Sequence, residues 1–129
     1  MSEWLKIGVV GIQMLAQAVD GDTVRLSNGE LVRLKGYDTP ELRSQCPTST
    51  GRAHETARAK QAKARLTELL SGKRVFLTLT SEQCGFGRHC GLLSANYKDV
   101  GNLLISEGLA SPMECVKGKC PPVKNWCAP

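Results

Sequence analysis

Three short segments hold the side chains of this chain that could do chemistry. Val19-Asp20-Gly21-Asp22-Thr23 comes first. Arg33 then stands five residues before Asp38-Thr39-Pro40-Glu41, and Phe86-Gly87-Arg88 follows well downstream. Aspartate and glutamate without a neighbouring nitrogen or sulfur ligand select hard divalent cations. Two arginines can grip a phosphodiester, because a guanidinium fork matches phosphate better than an ammonium does. A cation and two guanidinium groups would together meet the charge that builds up as water attacks phosphorus. That is the inventory of a metal-dependent phosphodiesterase.

Each segment also has a plainer reading. Asp-Gly-Asp is an ordinary turn between strands. Arg33 could pair with a carboxylate on a strand face, and Arg88 could be a simple hairpin arginine. His54 and His89 read as structural or surface residues. His89 adjoins Arg88, but neighbours on a strand point to opposite faces, so shared chemistry is not expected. The plain reading of the acidic turn weakens because three of the four aspartates of the chain fall within the two acidic motifs.

The rest of the chain is basic: 17 Lys and Arg against 12 Asp and Glu, for a net charge of +5. Such a field gathers phosphates, while a local acidic focus recruits the divalent ion. At 129 residues, 41% of them hydrophobic, the chain is expected to form one soluble globular domain over residues 1–129. No run reaches the roughly 18 apolar residues of a membrane span. The apolar stretch 7–18 carries Gly8, Gly11, Gln13 and Gln17 and lacks the features of a signal peptide.

Strands are expected over residues 7–14, 23–26, 31–34, 75–80 and 88–95. Ser27-Asn28-Gly29-Glu30 marks a hairpin, and Gly36 a bulge or close approach. Residues 52–70 read as the main helix, with Ala59, Ala62, Leu66, Leu69 and Leu70 as its apolar stripe and Gly72 as its cap. Asp99 should cap a second helix that ends at Gly108. Few short strands with two helices suggest an α+β protein built on a small closed β-barrel of about five strands. Residues 7–110 would form its core and 111–129 a cysteine-rich tail.

Six cysteines suit a disulfide framework in an oxidising compartment, ahead of structural zinc on Cys115, Cys120 and Cys127 with Cys46. Cys84 and Cys90 flank Arg88 across a short turn and are expected to pair. Cys46 should pair with one of the three tail cysteines, and the other two with each other. The expected location is secreted or periplasmic.

Asp20-Gly21-Asp22-Thr23, Arg33 with Asp38-Thr39-Pro40-Glu41, Gly87-Arg88 and Gly108-Leu109-Ala110 occur in an order and spacing that resembles the staphylococcal nuclease (thermonuclease) family. The resemblance covers roughly residues 7–110. It implies an OB-fold barrel and Ca²⁺-dependent cleavage of single-stranded DNA and RNA, leaving 3′-phosphates. By the same resemblance, Asp22 and Asp38 would ligate Ca²⁺ through carboxylates and Thr39 through its carbonyl, with Asp20 supporting them from behind. Arg33 and Arg88 would hold the scissile phosphate, and Glu41 the attacking water. A monomer is expected.

The chain also departs from the pattern. Phe86 and Cys84 stand where the family has a tyrosine and an aspartate, and Ser111-Pro112-Met113-Glu114-Cys115 replaces its later tyrosines. Phe86 keeps a stacking ring but lacks a hydroxyl. The alternative function is a non-catalytic OB-fold module that binds nucleic acid or protein. Such a module would be expected to have lost a carboxylate or an arginine; this chain keeps them all, and its aromatic content is only 5%.

Overall fold

The computed structural model describes residues 5–9, 12–72, 74–114, 117–122 and 124–129. In chain order the elements are β1 Leu5–Val9, β2 Ile12–Ala18, β3 Thr23–Leu26, β4 Leu31–Leu34, β5 Tyr37–Asp38, α1 Ser49–Leu70, β6 Val75–Gln83, β7 His89–Ala95, β8 Lys98–Asp99, α2 Val100–Ser106 and β9 Ser111–Pro112. The protein is α+β, as expected, with two helices on a mixed sheet. Neighbouring strands run β4-β3-β2-β1-β6-β7-β8, and β4 pairs with β7 as well. The β1–β6 and β4–β7 pairings are parallel and the others in this sheet antiparallel.

Alternation builds the core. Val24 and Leu26 of β3, with Val32 and Leu34 of β4, are buried on one face, while Arg25 and Arg33 point to the other. Leu66 and Leu70 of α1 join them, fully buried. Burial of each such leucine is worth about 1.5–3 kcal/mol relative to exposure. Thr48 caps α1 by accepting the Gly51 N–H at 2.9 Å. The helix therefore starts at Ser49, ahead of the expected residue 52.

Other expectations shift for physical reasons. The single strand expected over residues 7–14 is two strands, and Gly11, which that reading took into the strand, stands just before the second; Ile7↔Met14 are partners across the β1–β2 pair. Ser71, not Gly72, closes α1, in ordinary right-handed geometry. Gly36 sits at φ +91° with nothing within 4 Å of where a Cβ would project, so it makes a left-handed bend and not a close approach. Asp99 does cap α2, accepting the Asn102 N–H at 2.9 Å, and Gly108 follows the helix at φ +77°.

Cys84 pairs with Cys90, and Cys46 with Cys127. Cys120 is also in a disulfide. Cys115, the remaining tail cysteine of the expected pairings, lies outside the described residues. Sulfurs committed to disulfides are not thiolates, so they offer zinc no ligand. The tail is held further by Trp126, which is buried and whose carbonyl accepts from Arg58 Nη1 at 3.3 Å.

Candidate active site

The acidic turn between β2 and β3 is pressed into place from two sides. A Cβ on Gly21 would come within 2.8 Å of Ala62 on α1 and of the Thr39 side chain, so only glycine fits there. The buried Tyr37 hydroxyl donates to the Gly21 carbonyl at 2.8 Å. Asp20 Oδ1 accepts the Asp22 N–H at 3.0 Å, and Thr23 Oγ1 donates to Asp22 Oδ1 at 3.1 Å. Asp22 is thus oriented by its own turn, and the turn is tied to β5, which carries Asp38.

Arg33 joins the two acidic motifs. Its Nη1 lies 3.1 Å from Asp22 Oδ2 and its Nη2 3.5 Å from Asp38 Oδ1. Nη1 also donates to the Leu34 carbonyl at 2.8 Å, and Nη2 to that of Tyr37 at 3.1 Å. Register explains the meeting: Thr23 faces Arg33 across β3–β4, which sets the arginine beside Asp22. Asp38 is fixed from the other side by the β5–β9 pair, where it faces Ser111.

The carboxylates outnumber the cation between them. Burial, then the hydrogen bond and charge of Asp20, push the Asp22 carboxyl from 3.8 up to about 7, with Arg33 opposing. Asp38 is raised chiefly by burial, again against Arg33. Glu41 is raised by burial and then by the charges of Asp38, Asp20 and Glu55. Burial leads in each case and repulsion among the carboxylates adds to it; a hard divalent ion would relieve that repulsion.

Glu41 is held through its backbone. Glu55, buried on α1, accepts the Glu41 N–H at 2.9 Å through Oε2 and the Ser44 hydroxyl at 2.6 Å through Oε1. Arg52 Nη1 donates to the Cys46 carbonyl at 3.0 Å, and Thr56 Oγ1 to that of Leu42 at 3.4 Å. The first turns of α1 and the Cys46–Cys127 bridge therefore fix the segment that carries Glu41.

Arg88 reaches the same neighbourhood through the parallel β4–β7 pair, in which Arg33 faces Cys90. A cavity of about 270 Å³ is lined by Arg33, Lys35, Tyr37, Cys84, Arg88 and Met113. Of its three cations, Arg33 is paired with Asp22 and Asp38 and Lys35 with Glu82, which leaves Arg88, among the described residues, as the one bonded only to backbone carbonyls. Arg88 is now folded onto its own loop, donating Nε to the Gly85 carbonyl at 3.2 Å and Nη2 to that of Cys84 at 2.9 Å. Five N–H donors are available on a guanidinium, and these bonds use two.

Asp22, Asp38 and Arg33 are in contact, Asp20 supports Asp22, and Arg88 shares a cavity with Arg33. Thr39 is buried against the acidic turn. The charges of Asp38, Asp20 and Arg33 reach Glu41. Among the described residues, no three of the expected carboxylates have ligand atoms within 4.8 Å of one another; Cys46, Glu55 and Cys127 do, with the two sulfurs joined. His89 Nε2 lies 2.6 Å from Glu30 Oε2. Sequence reasoning missed Glu55, Lys35 and Met113. The one signal for Glu55 was an acidic side chain in register with the apolar stripe of α1.

No family model of known proteins matches this chain, and no curated protein matches it either. Among the described residues, no helix is long and apolar enough to cross a membrane.

Proposed function

We propose that the protein is a Ca²⁺-dependent, sugar-non-specific endonuclease of OB-fold type that cleaves single-stranded DNA and RNA and leaves 3′-phosphates. One observation carries the reading: Asp22 and Asp38 meet on Arg33, and Arg33 shares a cation-lined cavity with Arg88. Pairing of β4 with both β3 and β7 supports the barrel. The Cys46–Cys127 and Cys84–Cys90 bridges support an extracytoplasmic location.

Asp22, Asp38 and the Thr39 carbonyl would hold the ion, whose contribution when bound is to polarise the phosphate and neutralise its charge. Arg33 then turns from the carboxylates to the phosphate, and Arg88 meets the same group from across the cavity. Glu41 orients the attacking water and accepts its proton. Its raised basicity suits that task, and its hydrogen-bonded backbone limits the positions it can take.

The second reading is a non-catalytic binding module. Its support is that Arg33 is committed to Asp22 and Asp38 and that the carboxylates do not converge as a group of three. A labelled single-stranded oligonucleotide incubated with Ca²⁺, with Mg²⁺ and with EDTA separates the two. Cleavage in Ca²⁺ to 3′-phosphate ends, much weaker cleavage in Mg²⁺ and none in EDTA is expected. Undiminished cleavage in excess EDTA would overturn the metal assignment.

A further inference from the structure

The loop before β7 presents one aromatic ring to solvent at evident conformational cost. Phe86 is 95% exposed. Gly85, Phe86 and Gly87 all have positive φ, at +78°, +52° and +71°; a bulky L-residue adopts this conformation only when its surroundings impose it. Here the surroundings are specific. The Cys84–Cys90 disulfide clamps the base of the loop, Cys84 N–H donates to the Arg88 carbonyl, and Arg88 N–H donates to that of Gly85, both at 3.0 Å. The Arg88 guanidinium lies 5.5 Å from the centre of the Phe86 ring.

We propose that Phe86 is a stacking platform for an unpaired nucleobase on the strand whose phosphate sits between Arg33 and Arg88. The placement of the phosphate rests on the nuclease reading; the stacking rests on the loop. Cys84 and Arg88 line the arginine cavity, and Phe86 lies between them in the disulfide-clamped loop. Arg88 links the two, since it lines the cavity and its guanidinium lies over the Phe86 ring. A strand that enters with its backbone in the cavity lays the adjoining base against Phe86. Stacking on an aromatic ring tolerates any base, because every base has a π face. It excludes bases still paired within a duplex, whose faces are covered by their neighbours. Phe86 thereby selects single strands.

The test is binding in EDTA of a single-stranded oligonucleotide containing 2-aminopurine, and of the matching duplex, by the wild type, Phe86→Ala and Phe86→Trp. The side chain is exposed, so both variants should keep the fold, and thermal melts check this. Phe86→Ala should bind the single strand about tenfold more weakly and lose the quenching of 2-aminopurine. Phe86→Trp should keep both, and duplex binding should change less than twofold. Equal single-strand affinity in the wild type and Phe86→Ala, or equal losses on single strand and duplex, would overturn the proposal. So would a wild type that binds no single strand. Failure of the nuclease reading shows differently, as a wild type that binds through Phe86 but cleaves nothing when Ca²⁺ is added.

Discussion

Arg33→Ala is expected to lower kcat by about 10²–10³-fold, the cost of removing one preorganised donor at a developing oxyanion. The side chain is largely enclosed, with only 13% of its surface exposed, and it is the cation that Asp22 and Asp38 share. Truncation therefore removes a phosphate ligand but also a competitor for the carboxylates. Ca²⁺ affinity should hold or rise while turnover collapses, a split that simple unfolding would not produce. Arg33→Lys should recover little, because an ammonium cannot reach two carboxylates and the Leu34 and Tyr37 carbonyls in one plane. Steady-state kinetics beside a Ca²⁺ titration make the comparison. Near-normal turnover in Arg33→Ala would remove the arginine from the chemistry.

Asp22→Asn should abolish most Ca²⁺-induced stabilisation and flatten the dependence of stability on pH. The sign follows from the raised carboxyl. A folded pKa of about 7 against an ordinary 3.8 means that the fold favours protonated Asp22. That contribution is complete below the ordinary value and is lost as pH rises through about 7, so the metal-free wild type should melt at progressively lower temperature over that interval. The loss is on the order of a few kcal/mol. Metal requires the ionised carboxylate, so added Ca²⁺ should raise the melting temperature little near pH 5 and much more near pH 8. Asparagine keeps an oxygen for Thr23 but cannot titrate. Thermal melts across this range, with and without Ca²⁺, give the answer. A Ca²⁺ shift in Asp22→Asn equal to the wild type would show that the ion, if bound, sits elsewhere.

Local features of the fold were legible because local physics sets them. Asp99 and Gly108 bound α2 through side-chain capping and positive φ, and a single pair of cysteines six residues apart closes the loop around Arg88. The acidic motifs could be recognised as partners, but not how they meet. Their junction is Arg33, reached through the β3–β4 register, and the buried Tyr37 hydroxyl that ties one motif to the other. Glu55 was illegible for a related reason. An acidic residue within a helix reads as solvent-facing, and only the packing of residues 41–46 against α1 turns it into a buried acceptor. The split between β1 and β2 was signalled in sequence by Gly11, a residue that an isolated strand can also hold.

Glu41 separates catalysis from binding most directly, because it contributes a proton acceptor and is the least enclosed of the four acidic residues. The decisive measurement is single-turnover cleavage of a single-stranded oligonucleotide in Ca²⁺ by the wild type and by Glu41→Gln, purified identically, with binding measured in parallel. A nuclease built on this site requires measurable wild-type cleavage, at least a hundredfold slower cleavage by Glu41→Gln, and similar binding by both. Equal rates, or binding without cleavage by the wild type, would contradict it.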